Sequence, residues 1–227
     1  MSDTRLDDDR FEIINACDIP GYEFLGKDWA ESEVIYNAYK LNLFSDIDFV
    51  GLIHYDFNLY CPEYDTYRIT ENIENILQKY EWISFFAQNE SLIRGIYDVL
   101  MDDRKPNCLF VKHSGLDSPK SCLDYLENII TSETGLTEHI SSNVSLCCSF
   151  LSSRDKFLDV GRMISAIKDS NILNKFDTEK RHRYPGQVME RLVALYSQRF
   201  NHFKFNLDHR FVGGNKLNEI DPNGENY

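Results

Sequence analysis

Apolar residues along the chain fall into short unbroken runs separated by segments in which they recur every three or four positions. Phe11 to Cys17 (FEIINAC) is a run stopped by Pro20-Gly21, which predicts a buried strand. From Glu31 to Phe44 the positions Val34, Ile35, Ala38 and Leu41 have helical spacing, and Glu31 and Glu33 lie in the first turn where the helix dipole favours acids. FVGLIHY then reads as a strand buried on both faces, ending in the polar triplet His54-Tyr55-Asp56.

The alternation continues. Thr70 caps a helix with the stripe Ile73, Ile76, Leu77 and Tyr80, and Trp82 to Ala87 (WISFFA) is the strand after it. Leu92, Ile93, Ile96, Tyr97, Leu100 and Met101 predict a further helix, followed by a strand at Cys108 to Val111. Ser118-Pro119 is a helix start signal, continued by Cys122, Leu126, Ile129 and Ile130. Val144 to Leu151 reads as a strand, with helices at Asp155 to Lys168 and Gln187 to Phe203. Strands alternating with helices predict a single α/β domain over 1–211, with a mainly parallel sheet flanked by helices and a tail at 212–227 lacking fixed structure. In open α/β sheets ligands gather beyond the carboxyl ends of the strands, which directs attention to the residues just after them.

Composition narrows the chemistry. The chain has 227 residues, enough for a sizeable core, and a formal net charge of -13. So acidic a protein has no broad surface for nucleic acid, and any phosphate must be held locally. The N-terminus MSDTRLDDDR has no signal-peptide character, and no apolar run approaches the ~20 residues of a spanning helix. Six cysteines without CxxC or zinc-finger spacing read as reduced, buried thiols, so the expected location is cytoplasmic, with peripheral membrane association left open. The P-loop, GxGxxG, GxSxG and HExxH signatures are all absent.

Several polar groups remain as candidates. Asp56 follows an apolar strand, where it could meet a metal ion or serve as a turn residue capping nearby amides. Lys180, Arg181 and Arg183 in EKRHRYP form the densest positive cluster and lead into a helix, an arrangement that suits a diphosphate or a solvated loop equally. Glu190 lies roughly 140° from the centre of the stripe Val188, Leu192, Leu195 and Tyr196, facing solvent or a cleft. His209, beside Asp208, is a metal ligand or a surface residue. Ser32 and Tyr36 could meet a sugar hydroxyl, against the default of cap and packing roles.

In order, the segments LGKDWAESEVIYNAYK, DFVGLIHYDFNL, SNVSLCCSFLSSRDKF and YPGQVMERLVALY resemble the small GT-A-type glycosyltransferase domains of bacterial surface-polysaccharide enzymes and some large DNA viruses. The resemblance spans about residues 22 to 210 and rests on a Ser-Glu helix, a strand ending in His-Tyr and a closing Glu-Arg-Leu helix. It implies a GT-A-like fold and transfer of a sugar from a nucleotide-diphosphate sugar to a glycan acceptor, assisted by a divalent metal, Mn or Mg. The family's Asp-x-Asp motif is matched by His54-Tyr55-Asp56, so Asp56 carries over as metal ligand and His54 as a neutral substitute. His209 corresponds to the C-terminal histidine that completes many such metal sites, and Glu190 to the family's Glu-Arg-Leu segment as base or acceptor contact. Donor binding is then expected of Ser32, His54, Tyr55, Asp56, Lys180, Arg181 and Arg183, with Asp56 and Glu190 catalytic.

Two other classes compete. The missing first acid at His54 suits a catalytically silent glycan- or nucleotide-binding module of the same fold, and an interaction protein unrelated to sugars would bind no nucleotide at all.

Overall fold

A computed structural model describes residues 14–52, 73–85, 87–89, 119–145, 148–175 and 184–204. Its helices are α1 (Glu31–Lys40), α2 (Ile73–Leu77), α3 (Pro119–Thr134), α4 (Arg154–Asp169) and α5 (Tyr184–Ser197). The strands are β1 (Phe49–Leu52), β2 (Trp82–Ser84), β3 (Ala87–Asn89), β4 (Asn143–Ser145), β5 (Phe150–Ser153) and β6 (His202–Lys204).

The main sheet has the order β1-β5-β2-β6, and β3 pairs with β4 in a separate two-stranded sheet. β5 runs antiparallel to both β1 and β2, while β6 lies parallel to β2. The sheet is therefore mixed, not mainly parallel as the alternation implies. Periodicity identifies elements but not their neighbours, and here β5 enters between two strands that precede it. The direction of β1, β2 and β6 is nevertheless shared, with β5 alone reversed. Register brings Leu52, Phe150, Ser84 and Lys204 into one row, so the carboxyl ends of β1, β2 and β6 form a common margin.

The core lies between this sheet and the helices α1, α4 and α5. Trp82, fully buried, is stacked on Phe150 at 4.4 Å and on Phe200 at 5.6 Å between ring centroids, with Tyr196 edge-on at 5.9 Å. α4 contributes Phe157, Val160, Ile164 and Ile167 at helical spacing, and α5 contributes Val188, Leu192, Leu195 and Tyr196, the stripe read from the sequence. Gly161 permits the close crossing of α1 on α4, because a methyl there would run into Tyr39 Cβ and stand 3.0 Å from the Ile35 carbonyl oxygen.

Five local expectations change, the first being that β1 is not buried on both faces: Val50 is buried, Phe49 and Leu52 are partly buried and Gly51 is exposed. Ala16–Asp18 is a 3-10 turn, so the described end of the 11–17 run is not a strand. Val34 is exposed, and the buried face of α1 is centred on Ile35 and Ala38 instead. The 144–151 strand divides into β4 and β5 around Cys148, whose φ of 48° breaks an extended run. The last helix stops at Ser197, where the amides of Gln198, Arg199 and Phe200 each bond the carbonyl three residues back, and the chain continues as β6. The expected 92–101 helix and 108–111 strand, and the tail from 212, lie outside the described residues.

Candidate functional site

Of the candidate residues, Ser32 and Glu190 are described; His54, Tyr55, Asp56, Lys180, Arg181, Arg183 and His209 are not. Ser32 is buried at the start of α1, and its hydroxyl donates to the Trp29 carbonyl oxygen, closing the turn before the helix. Glu190 is partly buried and lies 3.3 Å from the Arg191 guanidinium. Among the described residues no three acidic, His or Cys side chains are grouped as a metal site. No described helix is long and apolar enough to cross a membrane. Cys148 is a buried free thiol, whereas Cys17 is a free thiol that is exposed, against the expectation of buried cysteines.

Described parts of the chain that flank candidate residues come together in two places. Gly186, in the first turn of α5, sits where an added Cβ would be 3.2 Å from Ala30 Cβ and from the Asp28 and Trp29 carbonyl oxygens. The turn LGKDWAES and the start of the Glu-Arg-Leu helix are thus in close contact, and a methyl at 186 would press on all three of these atoms. The second place is the carboxyl margin of the sheet. The chain departs from Leu52 toward His54-Tyr55-Asp56 and from Lys204 toward His209, and both departures lie in the same row.

The turn before α1 is held by a polar stripe on that helix. Glu33 Oε2 accepts the amides of Leu25 at 2.7 Å and Gly26 at 3.0 Å, and Glu33 Oε1 accepts the Tyr22 hydroxyl at 3.2 Å. One turn on, buried Asn37 accepts the Glu23 amide through Oδ1 and donates through Nδ2 to the carbonyls of Glu23 and Glu33. Tyr36 and Lys40 complete the stripe by donating to Glu23 Oε2 at 2.8 and 3.0 Å. Lys168 from α4 reaches Glu23 Oε1 at 3.0 Å. Hydrogen bonds from Lys40, Lys168 and Tyr36 hold the Glu23 carboxyl down at about 2, against an ordinary 4.5. Burial, followed by the Glu33 charge and its hydrogen bond, pushes the Tyr22 phenol up to about 12.

A buried hydrogen-bond chain lies beneath the margin and was not foreseen, since His202 shows no ligand spacing. Trp82 Nε1 donates to Ser145 Oγ at 3.0 Å, Ser145 Oγ donates to Ser84 Oγ at 2.8 Å, and Ser84 Oγ meets His202 Nδ1 at 3.1 Å. His202 Nε2 lies 2.5 Å from the Ser197 carbonyl oxygen. That carbonyl only accepts, so Nε2 carries a proton. The available sign was a set of serines within otherwise apolar strand runs, at Ser84 and Ser145.

Comparison of the chain with known protein families, curated proteins and solved structures finds no match.

Proposed function

We propose that the chain is a glycosyltransferase that moves a sugar from a nucleotide-diphosphate sugar to a glycan acceptor, with donor chemistry at the carboxyl margin of the main sheet. The observation that carries this reading is the shared row Leu52–Phe150–Ser84–Lys204, from which the segments bearing Asp56 and His209 both depart. Leu52 and Lys204 are three strand spacings apart, about 14 Å. Asp56 stands four residues beyond Leu52 and His209 five beyond Lys204, and chains of that length span at most about 13 to 18 Å, enough for both side chains to serve one ligand.

A carboxylate and an imidazole, together with diphosphate oxygens, are a donor set suited to Mn or Mg, and Asp56 and His209 would hold the ion. A divalent cation there would neutralise the charge of the departing nucleoside diphosphate. Lys180, Arg181 and Arg183 precede α5 in sequence and supply guanidinium and ammonium donors for the same diphosphate. Glu190, on the polar flank of α5, is the carboxylate assigned to the acceptor hydroxyl, as its base in an inverting reaction.

The test is a thermal-shift titration with UDP, GDP and dTDP, each with Mn²⁺ or with chelator. At ~100 times Kd a ligand adds about 2.7 kcal/mol, so one nucleotide should raise the midpoint in a metal-dependent way, and Asp56→Ala should abolish the rise. Binding without sugar transfer would favour the silent module. No rise with any nucleotide would sink the reading and leave the interaction protein.

A further inference from the structure

Ala30 has φ 48° and ψ -136°, a backbone conformation that belongs to glycine, at the junction between the 3-10 turn Lys27–Trp29 and α1. An alanine is retained there only if its surroundings over-determine the turn, and they do. The Trp29 amide donates to the Gly26 carbonyl at 3.0 Å, the Ser32 hydroxyl donates to the Trp29 carbonyl, and the Glu33 amide donates to the Ala30 carbonyl at 3.2 Å. Glu33 also clamps the amides of Leu25 and Gly26 from the helix side. Ala30 Cβ and the two carbonyls before it face Gly186, so the strained turn bears directly on the first turn of α5.

We infer that Ala30 is a positioning residue: its strained turn is a fixed stop that sets where α5 begins. On the glycosyltransferase reading, on which only the ligand part of this inference rests, α5 is the helix that follows the basic segment in sequence, so a shifted start of α5 weakens donor binding. A residue that only filled space would leave local order and global stability moving together. A stop under strain separates them, because glycine at position 30 relieves the backbone while removing the methyl that α5 rests against.

The experiment compares wild type with Ala30→Gly, Gly186→Ala and the double variant by urea unfolding and by hydrogen exchange at the amides of Val188, Met189 and Glu190. Ala30→Gly is expected to raise the urea midpoint while speeding exchange at those three amides at least fivefold. Gly186→Ala is expected to lower the midpoint, and the double variant to recover part of that loss, since one of the three groups an alanine methyl at 186 would crowd is gone. A lowered midpoint in Ala30→Gly, or unchanged exchange at the three amides, overturns the inference. Where wild type binds UDP or GDP, Ala30→Gly is expected to weaken that affinity at least threefold, and equal affinity overturns the ligand part. A wild type that binds neither nucleotide defeats the glycosyltransferase reading and the ligand part with it, while exchange and midpoint still decide whether Ala30 is a stop.

Discussion

Ser84 and His202 are 118 positions apart in sequence and meet at 3.1 Å in the core, tying β2 to β6 through side chains as well as through the parallel ladder. The contact is one link in a hydrogen-bonded chain that runs from Trp82 through Ser145, Ser84 and His202 to the Ser197 carbonyl. Buried and fully paired polar groups of this kind specify one arrangement of a core, and a missing member leaves its neighbours without partners.

Ser84→Ala therefore removes both the acceptor for Ser145 and the hydroxyl partner of His202. Loss of about 1–3 kcal/mol is expected, from the cost of unpaired buried polar groups. Urea denaturation of the two proteins measures it. Stability equal to wild type would show that the chain of hydrogen bonds contributes nothing net.

Asn37→Asp tests the clamp on the 22–26 turn with almost no change of shape. The amide nitrogen that donates to the carbonyls of Glu23 and Glu33 becomes an oxygen facing two oxygens. A buried acceptor set against acceptors should cost at least about 2 kcal/mol, whereas Asn37→Ser should cost less because a hydroxyl retains one donor. The order of the two midpoints in denaturant is the measurement, and the reverse order would count against the clamp.

Gly161→Ala sets helix propensity against packing. Alanine is favoured over glycine inside a helix by about 1 kcal/mol, yet here its methyl would collide with Tyr39 Cβ and press on the Ile35 carbonyl. Net destabilisation by about 2 kcal/mol is expected, in line with overpacking costs, and a rise in the thermal midpoint would show that α1 and α4 can separate without loss.

Glu23 gives stability a particular acid dependence. Its carboxyl sits at about 2 in the folded chain against an ordinary 4.5, so between those values the folded state binds fewer protons than the unfolded state. The contribution is complete above about pH 4.5 and disappears as pH falls toward 2. Because the Glu23 side chain is 38% exposed, its worth is about 1 kcal/mol or less. The stability difference between wild type and Glu23→Gln should therefore shrink on acidification through that window, and a constant difference would contradict it.

Much of the fold was legible where one face of an element meets the core. The stripe Val188, Leu192, Leu195 and Tyr196 is buried as read, and β1 and β2 lie within their apolar runs. Strand order and direction were not legible, because no spacing within β5 states that it will lie between β1 and β2 in reverse. On α1 the residues Glu33, Tyr36, Asn37 and Lys40 have helical spacing of their own, but a polar stripe that binds a loop has the same pattern as one that faces water. The 187–203 helix was read too long because apolar spacing persists through Phe200 and Phe203, although those rings serve the Trp82 stack and β6. Of the candidate site, the residues before α1 and the start of α5 meet at Gly186, a contact that no spacing in the sequence states, and the Ser32 hydroxyl bonds the Trp29 carbonyl, the cap-like role that a serine at a helix start has by default.

The placement of β6 also governs how the chain is made. Among the described residues, the outer edge of β2 is paired by residues 202–204 and one face of the Trp82 indole is covered by Phe200, all of which follow β1, β2 and β5 in the chain. Until that stretch leaves the ribosome, the nascent sheet carries an open strand edge beside an uncovered tryptophan, the kind of surface that chaperones shield. Of the described strands, β6 is therefore the last to join this sheet during synthesis.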